Sequence, residues 1–189
     1  MPSTKSEYRL SFASDVYLDQ ANHLRNRIAA IILERQDFGS LTVLFSSEGG
    51  STDQSLALYN FIVGLPVPVH MHAIGHVGSA SVPVFLGGQR RTAASLTRFF
   101  FHEYDWGFTG RQTLRRIDEA VKRLRSDIEM AREIIKARAK ASPDVLDALD
   151  GTTAPAILNS EQAKSLGFID EVCELRQPSA DGMPIAVWT

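Results

Sequence analysis

The chain has 189 residues, of which 44% are hydrophobic and 22% charged, and a formal net charge of −2. That length suits one domain spanning 1–189, the balance excludes wholesale disorder, and near-neutrality excludes a basic nucleic-acid footprint spread over the surface. The one cysteine, Cys173, excludes an intrachain disulfide, and a chain of this size buries about 70% of its unfolded surface without one.

Residues 1–7 contain no apolar signal-peptide core, and no apolar run reaches the roughly 18 residues of a membrane span. A cytoplasmic protein is therefore expected. In chain order, the first helical pattern covers 19–36, with Leu24, Ile28, Ile31 and Ile32 on one face and Gly39 beyond its end. Leu41-Thr42-Val43-Leu44-Phe45 has the length and composition of a buried parallel strand. It runs into Ser46-Ser47-Glu48-Gly49-Gly50-Ser51, and a helix is expected over 52–63, stopped by Gly64-Leu65-Pro66. A second buried strand is expected over 67–74, a turn over 75–78 and a short apolar helix over 79–86. Pro83 in that helix is tolerated only within the first turn. A third strand is expected over 98–102.

From 112 to 141 the pattern is strongly helical, with Leu114, Ile117, Val121, Leu124, Ile128 and Ile135 on one stripe. At 1.5 Å per residue such a helix is on the order of 40 Å long, more than a compact domain of this size spans. It kinks or projects, and its length favours a subunit interface for the stripe. Ser160 reads as an N-cap for a helix over 161–166, Gly167 as its C′ residue and 168–172 as a last strand. Short apolar runs alternating with helices make an α/β domain.

Two glycine-containing turns, at Gly49-Gly50 and Gly78-Ser79, follow apolar runs and open helices. Sites form at the carboxyl ends of parallel strands. There a serine sits beside unpaired backbone N–H groups, and a Gly-Gly backbone can present another because no Cβ blocks close approach. His102, at the end of a neighbouring strand, can act as base. A nucleophile, a base and two donors are the minimum for serine acyl transfer. The Walker A lysine and the G-x-G-x-x-G fingerprint are both missing, which counts against a phosphate loop. His70, His72 and His76 form H-x-H-x-x-x-H without clustered cysteines or carboxylates, so no metal and no cofactor are expected. Arg90-Arg91 reads as a solvated turn.

Three segments give the chain a resemblance to the proteolytic subunit of the Clp protease, within the ClpP/crotonase superfamily. Phe45-Ser46-Ser47-Glu48-Gly49-Gly50-Ser51 resembles a strand ending in N-S-P-G-G. Gly75-His76-Val77-Gly78-Ser79-Ala80-Ser81 resembles the nucleophile turn G-Q-A-A-S-M-G. The stretch 159–172 matches S-A-x-E-A-x-x-Y-G-L-I-D-x-V. The likeness covers 8–172 and includes the long helix, which resembles the handle by which two rings of that family meet. It implies a spiral of repeated strand-helix units with a projecting handle helix at about 112–141.

For function, the resemblance implies an ATP-dependent-Clp-type serine endopeptidase acting on peptides or unfolded proteins inside a homo-oligomeric ring, hexameric or heptameric. An unfoldase ATPase is the partner it suggests; no nucleic acid and no membrane are expected. Carried over residue by residue, Ser79 is the nucleophile, His102 the base, and Gly50 and Ala80 the oxyanion-hole donors. Asp150 is the triad acid if a small gap is allowed. An ungapped count reaches Thr152, and Asp147 is a further candidate. The sequence departs from the family pattern at Glu48, where a proline is usual, at Ser81, at Pro83 and through 103–110. It also starts later than the family's pore-loop segment. These departures motivate an alternative, a ring subunit or scaffold without catalysis; a crotonase-like acyl-CoA enzyme is a third reading.

Overall fold

Leu41, Val43 and Phe45 are wholly buried, as a continuous apolar run must be when both faces of a strand are covered. In the computed structural model, which describes residues 6–34, 38–175 and 185–186, that run lies in the middle of a mainly parallel sheet. β1 (Ser6–Ala13) leads through α1 (Leu18–Glu34) to β2 (Phe38–Ser47), and α2 (Thr52–Val63) leads on to β3 (Val69–Gly78). Then come α3 (Ser81–Leu86), β4 (Arg90–Ala93), β5 (Arg98–Phe101), α4 (Leu114–Arg138), α5 (Pro143–Asp147) and a 3-10 turn at Ala148–Asp150. β6 (Ala156–Asn159), α6 (Ser160–Ser165), β7 (Glu171–Val172) and β8 (Ile185–Ala186) complete the described elements.

The strand order is β6-β5-β3-β2-β1-β8, with β4 and β7 branching from β3. β3 is long enough to pair twice: residues 70–73 with β4 and residues 76–78 with β5. Its second half carries the chain to the candidate site. Among the described strands, only β6 runs antiparallel, against β5.

A chain of phenylalanine rings ties the layers together. Phe12 stacks on Phe45 at 5.5 Å, Phe45 meets Phe85 of α3 at 6.1 Å, Phe85 meets Phe99 at 5.4 Å, and Phe168 closes on Phe99 and Phe101 at 6.2 and 5.2 Å. Each such pair contributes about 0.5–1.5 kcal/mol beyond its buried area. Phe99 and Phe101 point into this core, so Phe100 and His102 project from the opposite side of the extended segment.

Several local expectations are corrected. Residues 75–78 continue β3 instead of turning, because main-chain pairing with β5 outweighs the two glycines. Arg90-Arg91 lies in β4, with Arg90 paired to Glu171 at 3.1 Å and the Arg91 side chain donating to the Arg138 carbonyl at 2.9 Å. The helix expected over 79–86 begins at Ser81, which puts Pro83 inside its first turn. Asn159, not Ser160, caps α6, in a capping box with Gln162. The Ser160 hydroxyl instead reaches the carbonyls of Ala94, Ser95 and Thr97. The last strand is confined to Glu171–Val172.

The long helix is α4, 25 residues and about 37 Å at 1.5 Å per residue. Ile128, Ala131 and Ile135 pack into the core, whereas Leu114, Ile117 and Val121 are exposed. No helix among the described residues is long and apolar enough to cross a membrane.

On the sheet, His70 Nε2 and His72 Nδ1 both lie against the Thr92 hydroxyl, at 2.7 and 2.6 Å. One hydroxyl has one proton, so at least one imidazole donates to it. Burial, reinforced by His70, lowers the pKa of His72 to about 4. The unfolded chain protonates this ring near pH 6.5, so the stability it confers is full above 6.5 and is lost as the pH falls toward 4. The loss is roughly 3 kcal/mol at most. Thermal denaturation from pH 7 to pH 4 is expected to show a smaller fall in Tm for His72→Leu than for the wild type. An identical fall would mean that this imidazole does not couple folding to pH.

Candidate active site

β3 ends at Gly78, and Ser79 turns the chain with φ +50°, the only non-glycine with positive φ among the described residues. That conformation costs about 1–3 kcal/mol and persists only where neighbours impose it. Here the Ser79 N–H donates to the Phe100 carbonyl of β5 at 2.8 Å, and the Ser79 carbonyl accepts from Val82 N–H at 3.1 Å. The buried Ser81 hydroxyl accepts from Gly78 N–H at 3.0 Å and reaches the carbonyls of Gly78 at 2.7 Å and Ser47 at 3.1 Å. It therefore ties the serine turn to the end of β2.

The second loop needs its glycines. Gly49 and Gly50 have φ of +128° and +131°, values that residues with a Cβ rarely adopt. A Cβ on Gly49 would lie 2.8 Å from Ser79 Cβ and 3.3 Å from its Oγ, and one on Gly50 would lie 2.7 Å from the Val16 carbonyl oxygen. Val16 holds the loop from behind: its N–H donates to the Gly49 carbonyl at 2.6 Å, and its carbonyl accepts from Ser51 N–H at 2.9 Å. The Gly50 and Ala80 amides have no hydrogen-bond partner among the described residues.

His102 follows β5 directly. The register that pairs Gly78 with Phe100 brings Ser79 and His102 to the same end of adjacent strands. The His102 ring stacks on Phe100 at 5.0 Å and an interplanar angle of 24°, and His76 lies against Phe100 at 6.0 Å. No hydrogen bond joins His102 to Ser79 or to Asp150.

The acidic candidates are gathered by another residue. Arg132 of α4 donates to Asp150 at 2.8 Å and lies 3.6 Å from Asp147. The Thr152 hydroxyl donates to Asp150 at 2.6 Å and its N–H at 3.1 Å. The Thr152 hydroxyl, then Arg132, lowers the Asp150 pKa to about 2. The backbone nevertheless brings the two segments together, because Tyr104 N–H donates to the Leu149 carbonyl at 3.1 Å. The main chain two residues beyond His102 is thus hydrogen-bonded beside Asp150.

Two residues that the sequence marked only as a departure and as part of a histidine motif have contacts it did not reveal. One is Ser81, whose hydroxyl makes the clamp. The other is His76, which lies against Glu48 with Nε2 3.4 Å from a carboxylate oxygen. The expected turn at 75–78 hid it; a strand continuing to Gly78 puts position 76 on the face that carries Phe100. Among the described residues, no group of three or more His, Cys, Asp or Glu is placed to hold a metal ion.

Gly49→Ala combines a disfavoured φ with a clash against Ser79, and is expected to destabilise the protein by about 2 kcal/mol or more in urea denaturation. A change within about 0.5 kcal/mol would show that the loop relaxes without the serine turn.

The chain is similar to known proteins in both sequence and fold. The family model described as Clp protease matches residues 5–176. Among solved structures, the fold is similar to that of a point mutant of ClpP1 from Listeria monocytogenes, with a TM-score of 0.71, 19% identity, and 89% of this chain and 92% of that chain covered.

Proposed function

Because the chain belongs to the Clp protease family, we propose that it is a serine peptidase whose nucleophile is Ser79. The observation that carries this reading is the strained serine turn set against Gly49, with the Gly50 and Ala80 amides unengaged beside it. Oxyanion chemistry requires such donors to be fixed before the reaction, since their advantage comes from needing no reorganisation.

In this mechanism Ser79 Oγ attacks the peptide carbonyl while His102 accepts its proton. The carbonyl oxygen becomes negative and is held by the N–H groups of Gly50 and Ala80. Collapse of the tetrahedral intermediate breaks the C–N bond, and His102 gives its proton to the departing amine. Water, activated by the same imidazole, then releases the acyl group from Ser79. Asp150 orients His102 and stabilises its protonated form once it exchanges Arg132 for the imidazole; the tightening of loose catalytic hydrogen bonds on substrate binding is common.

Unfolded polypeptide is the proposed substrate, an unfoldase ATPase the proposed partner, and a homo-oligomeric ring the proposed assembly. The exposed apolar part of α4, with Leu114, Ile117 and Val121, supplies a surface on which copies can meet.

One observation favours the second reading, a ring subunit without catalysis: Asp150 is bound to Arg132, and His102 is hydrogen-bonded to neither proposed triad partner. A fluorophosphonate probe and a fluorogenic peptide decide between the two. Wild-type protein is expected to label and to cleave, and Ser79→Ala to do neither. Failure of the wild type to label, or labelling that survives in Ser79→Ala, would overturn the peptidase assignment.

Asp150→Asn separates the triad role from the Arg132 tie. As a triad acid, its loss lowers kcat by about ten-thousandfold. If kcat is unchanged and only thermal stability falls, Asp150 is a partner of Arg132 and nothing more.

A further inference from the structure

Glu48 immediately precedes Gly49-Gly50, and Gly49 lies against Ser79. It is mostly in solvent, with its side chain 75% exposed, yet one carboxylate oxygen lies 3.4 Å from His76 Nε2. That nitrogen is buried and has no hydrogen-bond partner among the described residues. A buried imidazole nitrogen without a partner calls for an explanation, and the carboxylate is the polar group beside it.

The fit is local and specific. A Cβ on Gly78 would lie 2.6 Å from His76 Nε2 and 3.0 Å from the Glu48 carbonyl oxygen. The imidazole and the glycine loop therefore close over the residue immediately before Ser79, in space that only glycine leaves open. The His76 backbone is held as well, its N–H donating to the Ser46 hydroxyl at 3.1 Å, and its ring packs toward Phe100.

A carboxylate here poses a chemical problem. Among the described residues the Gly50 and Ala80 amides have no hydrogen-bond partner, and Glu48 lies only two residues before Gly50. Charge-assisted hydrogen bonds from backbone N–H to carboxylate are among the stronger ones. A free Glu48 side chain would compete for the donors that an oxyanion needs.

We propose that His76 is a positioning residue that anchors the Glu48 carboxylate on the Phe100 side of β3 and so keeps the Gly50 and Ala80 amides open. This rests on the peptidase reading above and goes further, since it makes the glycine loop a two-position element. With Glu48 on His76 the donors are free; with Glu48 folded over them the site is blocked by its own chain. Anything that draws Glu48 from His76, such as a cationic side chain of a bound polypeptide, acts on the same element.

The test uses the full chain, a fluorophosphonate probe and crystal structures. His76→Phe keeps an aromatic ring against Phe100 and removes the nitrogen; His76→Asn serves as a second variant should the first fail to fold. Either is expected to slow acylation of Ser79 by roughly five- to tenfold, the size of a unit charge acting across a partly hydrated gap of several ångströms. Adding Glu48→Gln to the variant is expected to restore the rate, which a merely structural role for His76 would not allow. In the crystal structure of the single variant, the Glu48 carboxylate is expected on the Gly50 or Ala80 N–H. An unaltered rate, a slowed rate that Glu48→Gln does not rescue, or a Glu48 carboxylate that stays off both amides would each overturn the proposal. If wild-type Ser79 never labels, the peptidase reading falls, and the position of Glu48 in the His76 variants still decides whether this residue governs the loop.

Discussion

Two loops approach more closely around Ser79 than side chains allow, and the rest of the site depends on that contact. The turn after β3 carries a serine at φ +50°, and the loop after β2 passes so near that a single methyl group on Gly49 would collide with Ser79 Cβ. Neither loop would hold this geometry alone. Val16 fixes one by two backbone hydrogen bonds, Phe100 fixes the other by one, and the Ser81 hydroxyl joins them. Strain stored in a serine is tolerated where the surroundings over-determine it, and here three separate segments of the chain contribute.

That geometry follows from how the sheet is divided. β3 pairs first with β4 and then, farther along, with β5. The first stretch is packed by the buried phenylalanine chain and carries the His70–Thr92–His72 contacts. The second stretch has only glycine, imidazole and valine to offer on its way to Ser79, and it places His76, Phe100 and His102 in one row. Burial of Phe99 and Phe101 on the other side sets the outward direction of Phe100 and His102. Core packing and site geometry are thus two sides of the same short strand.

Much of this was legible in the sequence, and the exceptions have physical causes. The runs at 41–45 and 52–63 could be read because apolar continuity and helix-stop residues act locally. The mixed α/β class with a parallel sheet followed from their alternation. β1 passed unassigned although Tyr8, Leu10 and Phe12 alternate inward, because the alternation is short and lies at the start of the chain. Positions 75–78 read as a turn since glycine is a local signal, whereas the pairing that keeps them extended comes from residues 98–100. Arg90 and Arg91 read as a solvated turn since charge dominates a local reading; Arg90 is indeed exposed, but both lie in a strand, and their partners Glu171 and the Arg138 carbonyl lie far along the chain. At the site, Ser79 and the glycines were visible from turn chemistry. Asp150's attachment to Arg132 was not, because it depends on how α4 packs against the 3-10 turn.

On the proposed peptidase reading, the Gly50 and Ala80 amides receive negative charge when the Ser79 hydroxyl reacts. The most direct measurement is a crystal structure of the protein after reaction with a peptidyl phosphonate. The phosphonyl group is expected on Ser79 Oγ, with its oxygen about 3 Å from both amide nitrogens and His102 turned toward the serine. A phosphonyl oxygen pointing to solvent, or a covalent adduct on any other residue, would contradict the account.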